Sequence, residues 1–131
     1  MSLTPDLLEQ RLIDFAAAIC QEVRRLPRDI AGTHVAKQLV RCGTSPAASY
    51  AEARSAESKR DFVHKLQLCL KELRETRVWL RMSHAITRRT ATPDRLATEC
   101  SELIRILGAS VNTTLGIRKR KQGTEDDGAG A

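Results

Sequence analysis

A chain of 131 residues and 14.6 kDa has room for one compact domain with short ends. Its four aromatics and seven glycines, three of them within the last nine residues, argue against an all-β sandwich, which needs aromatic and turn residues throughout. The net charge of +6 is unevenly spread: residues 1–58 are neutral, residues 59–89 carry nine basic groups against three acidic, and residues 118–131 add only +1.

The N-terminus, Met1 to Asp6, lacks a basic run followed by an apolar one, and the longest hydrophobic stretch is Phe15 to Cys20. Neither a secretory signal nor a membrane span is expected. Cys20, Cys42, Cys69 and Cys100 lie 22, 27 and 31 residues apart, too far for the spacing of a zinc site. Reduced thiols in a cytosol fit them better than a disulfide framework.

Thr4-Pro5-Asp6 is a helix start: a side chain to cap free amides, a proline tolerated in the first turn and an acid at the positive end of the dipole. Leu8, Leu12, Phe15, Ile19, Val23 and Leu26 then form one helical face, which Pro27 ends. Arg28 to Gly32 is expected as a connector. A second helix is predicted from about Thr33 to Ala56, with Val35, Leu39, Cys42, Pro46 and Tyr50 inward and a kink near Pro46, where the amide that would bond the Cys42 carbonyl is missing.

Ser58 with Asp61 launches the longest helix, about 59–87, whose Phe62, Leu66, Cys69, Leu73, Thr76 and Leu80 make a heptad stripe. A connector from Arg88 to Ala91 leads to Thr92-Pro93-Asp94, a second copy of the first start signal. Leu96, Cys100, Leu103, Leu107 and Val111 build the fourth helix, which fades near Ile117. The expected fold is all-α, an up-down-up-down antiparallel four-helix bundle over 1–117, with a basic-then-acidic disordered tail over 118–131. Ile13, Val63, Leu70, Ile104, Ile106 and Leu115 exceed what one seam needs, and a second apolar row is also what an oligomer interface requires.

Catalytic and metal motifs are weak. Ser45 in Gly43-Thr-Ser-Pro-Ala47 echoes a nucleophile elbow without its strand or last glycine. Asp61 and His64 form a single acid-x-x-His pair where a di-iron bundle needs two, and His34 and His84 read as surface residues. Three of the cysteines fall on inward stripes, with Cys20 beside one, and read as small core hydrophobes. No catalytic residue, cofactor or metal is expected.

The basic segment is more specific. Arg60, Gln67, Arg74, Arg81 and Arg88 repeat every seven residues, away from the Phe62–Leu80 seam, with Lys71 and Arg77 beside them. Such a row can track a phosphate backbone, or it can be a solvated face or a source of intersubunit ion pairs. Scarce aromatics count against base stacking.

Gln38-Leu-Val-Arg41, Ser45, Ala51-Glu-Ala53, Glu57-Ser58, Asp61-Phe62, Lys65, Leu70-Lys-Glu-Leu-Arg-Glu-Thr76 and Trp79-Leu80 together resemble the 23S rRNA-intervening-sequence proteins. The resemblance implies a cytosolic bacterial four-helix bundle that associates into rings, commonly homopentamers, with no established enzymatic activity. It extends to the accessory protein of diversity-generating retroelements, which partners a reverse transcriptase and binds nucleic acid through a basic surface. The family pattern often has Asn just before the Tyr-Ala-Glu run, where this chain has Ser49. Among the matching residues, Gln38 and Arg41 are expected to meet Glu72 and Glu75 across adjacent helices, with Glu52 a further structural polar contact, because a partly buried arginine prefers a bidentate carboxylate.

Overall fold

The computed structural model describes residues 3–88 and 94–117. The helices are α1 (Pro5–Glu22), α2 (Ile30–Arg54), α3 (Lys59–Ile86) and α4 (Arg95–Leu115), with a short 3-10 turn, Val23–Arg25, after α1. Every helix starts on a side-chain cap. Thr4, Asp29, Ser58 and Asp94 accept from the amides of Leu7, Gly32, Asp61 and Ala97 at 3.2, 2.7, 3.0 and 3.0 Å.

Two of these caps correct the sequence reading. Asp29 starts α2 at Ile30, so residues 30–32, expected in a connector, form its first turn. Asp94, not Thr92, caps α4; Thr92, Pro93 and most of the expected 88–91 connector lie outside the described residues, as does the 118–131 tail. At its far end α4 stops on Gly116, whose φ of 75° lets the amides of Gly116 and Ile117 return to the carbonyls of Thr113 and Asn112.

α2 runs unbroken through Pro46, as one helix rather than two. In the turn before the proline, Thr44 and Ser45 hydroxyls donate to the carbonyls of Val40 and Arg41. Ser45 therefore sits mid-helix with its hydroxyl engaged, which removes the nucleophile-elbow reading.

Consecutive helices pack in order, α1 on α2, α2 on α3 and α3 on α4, and the bundle closes where α4 returns to α1 in its thinnest contact. Leu12, Ile19, Leu39, Leu66, Leu73, Leu80, Leu103 and Leu107 are the large side chains wholly enclosed between them. The surplus apolar residues divide. Val63 and Leu70 enter the core and Ile104 and Ile106 pack against it, whereas Ile13 and Leu115 stay exposed. α3 needs the wider stripe because it is flanked on both sides, by α2 and α4, so Phe62 at the edge of the heptad row is only half-buried while Val63 is buried.

Cys42, Cys69 and Cys100 are fully buried and Cys20 is exposed. Cys69 and Cys100 thiols donate to the carbonyls of Pro46 and Leu73 at 3.5 and 3.0 Å, and burial raises all three buried thiols' pKa values. A raised pKa removes the thiolate a nucleophile requires. No helix among the described residues is long and apolar enough to cross a membrane.

Candidate nucleic-acid interface

Cationic side chains of the bundle fall into two groups, those held by carboxylates and those that are not. Arg11 on α1 forks onto Glu99 of α4 at 2.6 and 2.7 Å and reaches Glu102 at 3.1 Å. The Glu99 carboxylate is the main reason its pKa is raised, and the fork ties the neighbouring helices whose contact is thinnest. Arg54 near the end of α2 grips Asp6 and Glu9 of α1 at 2.7 and 3.3 Å. Lys65 and Glu52 join α3 to α2 at 3.1 Å.

Arg41 meets Gln38 at 2.9 Å, Glu72 at 3.4 Å and Glu75 in its shortest contact. The indole N–H of Trp79, 3.3 Å away, and Arg41 hold the Glu75 carboxyl below its usual range. The expected Gln38–Arg41–Glu72–Glu75 cluster is assembled, whereas Glu52 belongs to the separate contact with Lys65. Arg41 is not partly buried as expected, however, since its side chain is 50 % exposed. Solvent screens such a pair. Arg41→Ala is therefore expected to give a small fall in melting temperature with unchanged helix content by circular dichroism, and a smaller fall than Arg11→Ala. An equal or larger loss would show that the α2–α3 cluster matters more than its exposure implies.

The α3 row belongs to the second group. Arg60, Gln67, Arg74 and Arg81 are all exposed, and among the described residues Arg60, Arg74 and Arg81 have no carboxylate within ion-pair distance. Two adjoining clefts put part of this row on the α4 side of α3. One, of about 530 Å³, is lined by Lys59, Arg60, Val63, His64, Gln67 and Leu115. The next, of about 310 Å³, is lined by Gln67, Leu70, Arg74, Gly108, Val111 and Asn112. Seven residues of helix rise about 10.5 Å, so Arg60 to Arg81 spans about 32 Å.

The flanking cations differ from one another. Arg77 is half-buried and donates to the Ser101 hydroxyl at 3.4 Å, which makes it a link between α3 and α4 rather than a free cation. Lys71 is exposed on the outer face of α3, close enough to Glu75 to contribute to its lowered pKa. Arg88 is exposed just beyond α3 with a φ of 56°. No aromatic lines either cleft: Phe15 and Tyr50 are buried, Phe62 is half-buried, and Trp79 lies toward α2, edge-on to His34 with ring centroids 5.5 Å apart.

Among the described residues no group of three or more His, Cys, Asp or Glu side chains is placed to hold a metal ion. Asp61 gives its backbone amide to the Ser58 cap, and His64 lines the 530 Å³ cleft. Arg11, Arg54, Glu99 and Glu102, which tie the helices together, carry no motif in the sequence. Their only signal there is a place at the border of an apolar stripe.

Among the described residues, an antiparallel bundle with ion-paired seams and a row of cations without carboxylate partners along α3 defines an all-helical module. The sequence pattern of the 23S rRNA-intervening sequence proteins matches residues 8–109, and the chain belongs to that family. It is similar to a solved protein of unknown function from the S23 ribosomal protein family of Bacteroides thetaiotaomicron, with 26% identity, a TM-score of 0.69, and coverage of 82% of this chain and 97% of that one. No curated protein matches the chain.

Proposed function

We propose that the chain is a non-enzymatic binding module that holds RNA by its phosphate backbone along the α3–α4 face, and that its copies assemble into a ring, commonly of five in the proteins it resembles. The reading rests on one observation: Arg60, Arg74 and Arg81 share a row and have no acidic partner among the described residues, while Arg11, Arg41 and Arg54 are each held by two carboxylates. Free guanidinium groups in a line suit a polyanion, because each phosphate they neutralise releases counterions. With no aromatic on the face, contacts to the backbone dominate over stacking on bases. The descriptions of the family and of its solved relative, which name a ribosomal RNA and a ribosomal protein family, make structured RNA the probe of choice.

Affinity for such an RNA is expected to fall steeply with salt. Arg74→Glu/Arg81→Glu is expected to weaken binding by more than about tenfold at low salt and to lower the log–log salt slope by about two. Arg11→Ala, on the α1–α4 seam and away from the α3 row, leaves the slope unchanged if it leaves the fold intact. Absence of binding at about 50 mM salt would reject the reading and favour a protein-partner module whose arginines meet carboxylates of a neighbouring molecule. Sedimentation of the pure chain tests the ring.

A further inference from the structure

The outward face of α3 carries a second row at heptad spacing, opposite the one that builds the core. His64, Leu68, Lys71, Glu75, Val78 and Met82 step by 4, 3, 4, 3 and 4. At about 100° per residue they lie half a turn from Leu66, Leu73 and Leu80. Leu68, Val78 and Met82 are 38%, 48% and 42% exposed, and α3 meets α2 and α4 by its other sides. Apolar side chains at a and d positions over several turns are what one helix presents to another.

We propose that a second copy of the chain docks on this row, with the two α3 helices antiparallel about a two-fold axis between Lys71 and Glu75. The charges select that register. In antiparallel pairing the a positions of one helix meet the d positions of the other. Leu68 then faces Val78 of the second copy, His64 faces Met82 and Lys71 faces Glu75, and every contact occurs twice, as a two-fold interface requires. A slip of one heptad sets Lys71 against Leu68 or Met82 of the second copy and leaves its charge unmatched. Parallel pairing sets Lys71 on Lys71 and Glu75 on Glu75. The Glu75 carboxylate already accepts from Trp79 and Arg41 and still has lone pairs for a lysine.

Two consequences follow from the same geometry. Arg74 and Arg81 precede Glu75 and Met82 by one residue, so the antiparallel pair brings both copies' arginine rows to one side of the seam. Their repulsion is relieved by a bound polyanion, which couples association to backbone binding. Only this coupling rests on the proposed function; the contact itself does not. A two-fold contact also closes at two copies, so a ring, if the copies form one, uses another face.

Cysteine cross-linking tests the register. In a chain carrying Cys20→Ser, whose other native thiols are buried, Leu68→Cys/Val78→Cys is expected to give a disulfide-linked dimer under mild oxidation without RNA. The two new thiols of one chain are ten residues, about 15 Å, apart on the helix and cannot bridge each other. Leu68→Cys alone places the two copies' thiols about 15 Å apart and is expected to give little dimer. Val78→Asp, at an exposed site that leaves the fold intact, is expected to raise the dissociation constant for pairing by about tenfold or more. Equal cross-linking by the single and double cysteine variants, or none by either, overturns the proposal. Cross-linking in a chain that fails to bind RNA keeps the contact and rejects the nucleic-acid reading.

Discussion

Replacing Gly32 with alanine is expected to destabilise the bundle by about 3 kcal/mol, at the upper end of the range for overpacking. A Cβ built on Gly32 falls 1.9 Å from the carbonyl oxygen and 2.8 Å from the carbonyl carbon of Pro27. Those are backbone atoms in the turn between α1 and α2, held by the burial of Leu26 on one side and the Asp29 cap on the other. No rotamer change can open the space, so the turn must move and α2 must shift on α1. At Gly43 the nearest atoms, at 2.9 Å, belong to the Ile19 side chain. That residue can give way in part, and Gly43→Ala costs less. Gly108, inside α4 with nothing within 4 Å of a built Cβ, is the internal control: alanine there is expected to stabilise by about 0.5–1 kcal/mol, the ordinary helix-propensity gain. Denaturant unfolding of the two variants should move in opposite directions, and a Gly32→Ala midpoint equal to that of the parent would remove the close approach as the reason for glycine.

Gly32 also shows why the bundle was legible in the sequence while some of its ends were not. The heptad positions of α1 to α4 are repeated many times over, so an apolar face survives the misreading of any one residue. A helix start depends on a single side chain. Asp29 and Thr33 are both acceptable caps, and glycine ordinarily marks a break, so a connector through Gly32 was the natural expectation. Only the approach of Pro27 gives that glycine a reason to be inside a helix. At α4 the same ambiguity lay between Thr92 and Asp94, two residues apart.

The candidate site divides along the same line. That Arg60, Arg74 and Arg81 share a row follows from their spacing alone. That they lack carboxylates among the described residues depends on where the acidic groups of other helices go, which is a tertiary fact: Glu99 and Glu102 turn to Arg11, and Asp6 and Glu9 to Arg54. Arg77 has the same place beside the row as Lys71 by spacing, and only the position of Ser101 on α4 separates the two. The outward row of α3 was hidden for another reason. Lys71 and Glu75 interrupt it, so the apolar periodicity breaks at a pair of opposite charges in the middle of the stripe.

Alkaline titration is expected to unfold the bundle well before its arginines lose charge. Burial pushes the thiols of Cys69 and Cys100 from an ordinary value near 9 up to about 12. Below pH 9 both states keep these protons and stability does not depend on them. Between 9 and 12 the unfolded chain releases them while the folded chain holds them, so the folded state is progressively disfavoured, by about 1.4 kcal/mol per pH unit for each thiol. Cys42 and Tyr50, also raised by burial, act in the same direction. Unfolding free energy measured by denaturant at pH 8, 9.5 and 10.5 should therefore fall with increasing slope. In Cys69→Ala/Cys100→Ala that slope should flatten, whatever the double substitution does to stability at pH 8. Thiol reagents at neutral pH supply the companion result, fast modification of Cys20 alone with the other three reacting only as the chain opens, since Cys20 is exposed and the other three are buried. Stability that holds level from pH 8 to 10.5 would mean that the sulfurs reach water through motions faster than global unfolding, and that the core around Leu66, Leu73 and Leu103 is looser than its full burial implies.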